Sequence, residues 1–136
     1  MFFSKQKKAF AAGETPNPAQ LRGEFAVRLI TGIGPDLRFF CHKKVFPETV
    51  EKTGGGCNKF WGGIRLGDFI IGVQESILGD GQNILKINYN RPGNPFYLKI
   101  LNDELKKTGP ESYLGRGVFE IAGKAINTFY FTLERS

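Results

Sequence analysis

The chain has 136 residues, 40% of them hydrophobic and 13% aromatic, with a formal net charge of +6. That is enough for one domain with a real core, while the apolar runs fall far short of the ~20 residues of a membrane helix, and no collagen-like period or low-complexity tract occurs. The basic residues are scattered, as in Lys5, Lys7 and Lys8, then Lys43 and Lys44, then Lys106 and Lys107, which reads as a solvated surface rather than a nucleic-acid groove.

In chain order, Met1 to Lys8 puts its charges after its apolar residues, the reverse of a secretory leader, so the expected location is the cytoplasm. Ser4 to Ala12 suits a short helix, with Ser4 as its cap and Gly13 as a left-handed stop. Asn17-Pro18 is a second helix start, Asn17 capping and Pro18 in first position, running to about Leu21. Residues 1–23 are thus expected to be a helical segment packed on a second unit, residues 24–136.

From Glu24 the period becomes two. Phe25, Val27 and Leu29 share one face of the first strand; Glu24 and Arg28 share the other. A turn, Gly32 to Asp36, leads to a second strand from Leu37 to Phe46. Its two faces are Leu37, Phe39, Cys41, Lys43, Val45 and Arg38, Phe40, His42, Lys44, Phe46. Both carry aromatics, so the pattern leaves the inner face open. Pro47 to Gly56 reads as a loop, with Gly54-Gly55-Gly56 as a hinge, since no Lys-Ser/Thr follows to make a phosphate loop. Asn58 to Trp61 is a short strand, and Ile64 to Ile77 holds one or two more, with a bend or bulge at Gly67-Asp68.

Gly79 to Asn83 is a strong hairpin signal. Ile84 to Asn90 is a strand, Arg91 to Pro95 a turn, and Phe96 to Leu101 another strand, which Asn102 to Lys107 either extends or twists into a helical turn. After a turn at Thr108-Gly109-Pro110, Tyr113 to Ile121 and Ile126 to Glu134 make the last hairpin across Ala122-Gly123-Lys124. The sum is an all-β chain: one up-and-down antiparallel barrel of about eight strands with one or two short N-terminal helices. Such a barrel is either filled or able to hold one small ligand. The expected core-facing residues are Phe25, Val27, Leu29, Leu85, Ile87, Tyr89, Phe129 and Phe131.

No Gly-x-Ser-x-Gly elbow, Walker loop or His-Glu-x-x-His occurs. Asp103 and Glu104 are neighbours, so on a strand they point to opposite faces and do not form a catalytic pair. Glu75 reads as a solvated strand end. One His and no Cys-x-x-Cys argue against a structural metal, and no cofactor is expected. Cys41 and Cys57 read as two thiols; a bridge would need the second and third strands to pair there.

The aromatic residues Phe39, Trp61, Phe69, Tyr89, Phe96, Tyr113, Phe119 and Phe131 fall on different expected strands and would line an apolar interior. Arg65, Arg116 or Tyr130 would hold a polar head there. The partner so implied is a small hydrophobic molecule, bound by a monomer or homodimer.

Leu21-Arg22-Gly23-Glu24-Phe25 sits where a Gly-x-Trp opening follows a short helix in the calycin group, the lipocalins and fatty-acid-binding proteins. Leu114-Gly115-Arg116 and Phe129 to Glu134 resemble the end of such barrels, as does the run from Arg91 through Asp103-Glu104-Leu105 to Arg116. The chain therefore resembles a lipocalin-like protein over roughly residues 20 to 136. Phe25 stands in place of the Trp, and no Thr-Asp-Tyr loop motif is present. The resemblance implies a barrel that binds a fatty-acid-like or other amphipathic molecule without chemistry; the alternative is an isomerase, cyclase or hydrolase using the same cavity. It also implies that Arg116 packs over Phe25 as a cation–π contact, and it makes His42 a candidate haem ligand or general base. Otherwise His42 is a surface or hydrogen-bonded residue.

Overall fold

The computed structural model of the protein describes residues 4–32, 43–46, 56–59 and 65–135. Antiparallel strands dominate: β1 (Gly23–Gly32), β2 (Lys43–Phe46), β3 (Gly56–Lys59), β4 (Arg65–Glu75), β5 (Asn83–Asn88), β6 (Leu101–Gly109), β7 (Ser112–Ile121) and β8 (Lys124–Arg135). Each pairs with the next in the chain, and β8 returns to β1 from Phe25↔Arg135 to Gly32↔Phe129, so the sheet curls strongly about its inner face. Among the described residues no helix is long and apolar enough to cross a membrane.

The turns follow local chemistry. Gly79 and Gly81 take positive φ between β4 and β5, where Glu75 pairs with Asn83. Between β7 and β8 a two-residue turn puts both Ala122 (φ 52°) and Gly123 (φ 77°) in the left-handed region, the twist a tight hairpin needs. Pairing passes from Gly56↔Phe69 to Asn58↔Leu66, three positions on β4 for two on β3. The extra residue falls at Gly67-Asp68, where the sequence marks a bulge.

Two glycines let β7 carry large neighbours on its inner face. Gly115 pairs with Phe131 and Gly117 with Phe129. A Cβ on Gly115 would lie 2.3 Å from the Phe131 ring, and one on Gly117 would lie 2.1 Å from the Phe129 ring. Each phenyl ring occupies the space that a side chain on its partner would need, which matches the use of glycine at sites of close approach in a sheet.

The N-terminal segment lies on the outer face of β6 and β7. Helix α1 (Ser4–Ala12) buries Phe10 against Tyr130, Ile84 and Leu114. Glu14 then bridges Lys107 by paired backbone hydrogen bonds of 2.9 and 2.7 Å. Gly13 is not a left-handed stop: it does not take positive φ. Its lack of a side chain serves close approach instead, since a Cβ there would sit 2.8 Å from Lys106 Cβ. Pro18–Gln20 is a single 3₁₀ turn, with Asn17 Oδ1 accepting from the Ala19 N–H at 3.0 Å.

One expected strand is absent. Phe96–Lys99 forms a helical turn, α2, with Pro95 as its cap. The β5–β6 ladder ends at Asn88↔Asn102, so the residues between have no strand partner there. A helical turn satisfies its own backbone, and Leu98 N–H and Lys99 N–H both donate to Pro95 O at 3.0 and 3.2 Å. Asn102 to Lys107 continue as strand in β6.

Candidate functional site

The main core lies on the inner face of the curl and is rich in aromatic rings. Tyr113, Phe25, Phe46, Phe69 and Tyr89 follow one another edge to face, with centroids 5.7, 5.5, 5.4 and 5.6 Å apart, the favoured geometry for aromatic pairs. At the end of this series is a charged cluster. Lys44 on β2 is 4% exposed and Asp103 on β6 is 2% exposed. Lys44 Nζ stands 3.2 Å from Asp103 Oδ2 and also donates to the Tyr89 hydroxyl. That hydroxyl donates to the same Asp103 oxygen at 2.9 Å.

Strand order makes this contact informative. Along the sheet β3, β4 and β5 lie between β2 and β6. Their side chains therefore meet across the inner face of the curl, between strands that are not neighbours. The ammonium also lies 5.1 Å from the Tyr89 ring centroid, 5.6 Å from that of Phe131 and 5.8 Å from that of Phe69, within cation–π range. Asn94 steadies the Tyr89 end, its Nδ2 donating to Tyr89 O and to Asp68 O at 2.7 Å each.

Asp103 Oδ1 is buried and has no hydrogen-bond partner among the described residues. A buried carboxylate oxygen with no donor carries a desolvation penalty with nothing to offset it. As a lone-pair acceptor beside an aromatic core, it can take an N–H or O–H from a small molecule.

A second charged cluster lies on the outer face, where β6 and β7 meet the β4–β5 turn. Arg116 Nε donates to Glu104 Oε1 at 2.9 Å, and the Arg116 Nη2 donates to Ser76 Oγ at 2.8 Å and Asp80 Oδ2 at 2.9 Å. Glu104 also accepts from Ser76 Oγ and from the Ile77 N–H, at 2.8 and 3.0 Å. The guanidinium lies 4.2 Å from the Phe10 ring centroid. Burial alone would raise the Asp80 carboxyl, but the hydrogen bond and charge of Arg116, with hydrogen bonds from the Gln82 backbone and side chain, together hold it below the ordinary aspartate value. This cluster fixes the β4–β5 turn and α1 against the sheet, so its role is structural.

Adjacent Asp103 and Glu104 do point to opposite faces, and each finds its own cation. Of the residues expected to line an interior, Phe69, Tyr89, Tyr113 and Phe131 are brought together in the inner core, with Phe119 packed at its margin. Phe96 is 74% exposed on α2 and lines nothing inside. Arg116 and Tyr130 are buried on the outer side, under α1, and so do not face the interior as expected. Tyr130 packs at 69° against Phe10 and accepts from Asn127 Nδ2 at 3.0 Å. Nor does Arg116 cover Phe25. Arg135, at the end of β8, does so at 4.6 Å, held by Glu111 and the backbone oxygens of Arg22 and Gln20. The pairing Phe25↔Arg135 brings it there; Arg116 is on the far face of its strand.

Arg65 opens β4 opposite Lys59. Glu75 is exposed, as its strand-end reading has it. Phe39, Cys41, His42 and Trp61 lie outside the described residues. Cys57 is half-buried on β3, opposite Val45. Burial, reinforced by the Glu111 charge and opposed by Arg135, pushes the Tyr113 hydroxyl up from its ordinary value. Sequence reasoning missed Lys44 and Asp103 as site residues. Lys44 shares its strand face with Phe46, and that alternation was the available signal.

No family model matches the chain, and no curated protein matches it. A solved structure described as a protein from Thermomonospora curvata is similar, with a TM-score of 0.65 and 12% identity over 98% of this chain and 86% of that one. At that identity the likeness speaks for the curled antiparallel fold alone.

Proposed function

We propose that the chain is a closed, lipocalin-like barrel of eight strands that binds a small hydrophobic or amphipathic molecule in its interior without altering it. The ladder that runs from β1 to β8 and back supports closure. The observation that carries the binding reading is the Lys44–Tyr89–Asp103 cluster among interior rings. Stability alone does not call for it, because apolar groups of similar volume in place of a buried ion pair are often neutral or stabilising. An apolar chamber with a few placed polar groups is the usual make-up of a small-molecule site.

One observation favours a second reading, an enzyme of similar fold. A carboxylate and a phenol 2.9 Å apart, with an ammonium beside them, have the reach for proton transfer. Fold alone does not decide between the two. The test is to titrate delipidated protein with fatty acids, long-chain alcohols and terpenoids while following each compound by mass spectrometry. Saturable binding with every compound recovered intact supports the binder; conversion that depends on Asp103 supports the enzyme. Absence of saturable binding across the panel overturns both.

A further inference from the structure

We infer that the interior site selects a neutral amphipathic molecule whose polar end is a hydrogen-bond donor, a long-chain alcohol or primary amide rather than a carboxylate or an ammonium. The inference rests on the binding reading above and adds the chemistry of the head group. Asp103 Oδ1 accepts and has no donor, whereas Asp103 Oδ2 already takes both the Lys44 ammonium and the Tyr89 hydroxyl. The Lys44–Asp103 pair is neutral as a unit. A carboxylate placed at Oδ1 would face a second carboxylate at close range. An ammonium there would stand beside the Lys44 charge. A hydroxyl or amide N–H meets neither penalty and supplies the missing donor. Its gain is large because a hydrogen bond to an ionised acceptor is stronger than one between neutral groups.

The rings around that cluster suit an apolar tail. Phe69 and Phe131 bracket the cluster, and the edge-to-face series of rings leads from Tyr89 back to Tyr113. Asp103 Oδ1 is buried in this conformation, so binding requires the side chains around it to shift. Glu104 in the outer cluster offers no such acceptor, since it takes donors on both its oxygens.

The experiment compares decanol, methyl decyl ether and decanoate by isothermal titration calorimetry at neutral pH. The ether keeps the tail and the oxygen and lacks the donor. The expected result is that decanol binds about ten- to hundredfold tighter than the ether, with decanoate weaker than decanol. In the triple variant Lys44→Met, Tyr89→Phe, Asp103→Leu the alcohol and the ether should bind alike. The wild-type comparison stands on its own if that variant does not fold. Equal affinity for alcohol and ether in the wild type, or tighter binding of decanoate, overturns the head-group inference while leaving an interior binder. No binding by any of the three overturns the binding reading as well.

Discussion

Lys44 and Asp103 are buried against each other, so separating them should be costly and removing them together should not. At their 3.2 Å separation the attraction is about 5 kcal/mol for an effective dielectric of roughly 20. Desolvation of both groups offsets much of that. Lys44→Met takes the ammonium from beside the buried Asp103 carboxylate, and Asp103→Leu takes that carboxylate from beside the buried ammonium. Each should lower stability by about 3–5 kcal/mol. Adding Tyr89→Phe to the two together also removes the phenol that donates to Asp103 and accepts from Lys44. This triple variant should lie within about 1–2 kcal/mol of the parent. Equilibrium urea unfolding, followed by far-ultraviolet circular dichroism with the slope checked for constancy, measures all three. Single variants that cost less than about 1 kcal/mol, near the worth of an exposed pair, would show that the two charges are not buried against each other. A triple variant as unstable as the sum of the singles would refute the reasoning from the other side.

Three further outcomes are expected. Phe25→Ala should cost about 3–5 kcal/mol, because Phe25 is fully buried between Phe46 and Tyr113 beneath Arg135; a loss below about 1 kcal/mol in urea unfolding would remove it from the core. Gly117→Ala should destabilise by about 1–3 kcal/mol through overpacking, since the new methyl would fall 2.1 Å from Phe129, whereas Gly72→Ala meets nothing within 4 Å and should be neutral or slightly favourable; equal effects at the two positions would show that the ring does not lie on the glycine. Asp80 titrates below its ordinary value when folded, so its contribution is present above the unfolded pKa and is lost as pH falls through the lower folded one. Asp80→Asn should therefore flatten the acid limb of a thermal stability profile below about pH 4, and an unchanged limb would mean that Arg116 does not hold it.

Much of this architecture was legible because glycine and proline carry local instructions. Asn17-Pro18, the Gly67-Asp68 bulge, the Gly79 to Asn83 turn and the Ala122-Gly123 hairpin each act through the backbone, without help from distant contacts. Phe96 to Lys99 went astray because aromatic residues favour strands only where a strand partner exists, and the ladder stops short of them. The site was harder still. In β6 the run Leu101 to Lys106 is buried throughout, with Asn102, Asp103, Glu104 and Lys106 among its members. Binary patterning reads such a strand as exposed, because each charge is satisfied by a residue remote in sequence: Asp103 by Lys44, Glu104 by Arg116. Arg116 itself was placed on the wrong face because Tyr113, Gly115 and Gly117 share the inner face of β7, while Leu114, Arg116 and Val118 share the other. The glycines hid which row was inner until their phenylalanine partners were seen.

Native mass spectrometry of the protein as purified, before any organic extraction, tests the claim of an occupied interior most directly. The account expects one small neutral apolar molecule per chain, released on unfolding and identifiable by its fragments, and its loss from the variant in which Lys44, Tyr89 and Asp103 are replaced together. A bare chain mass that stays bare after incubation with long-chain alcohols would contradict it.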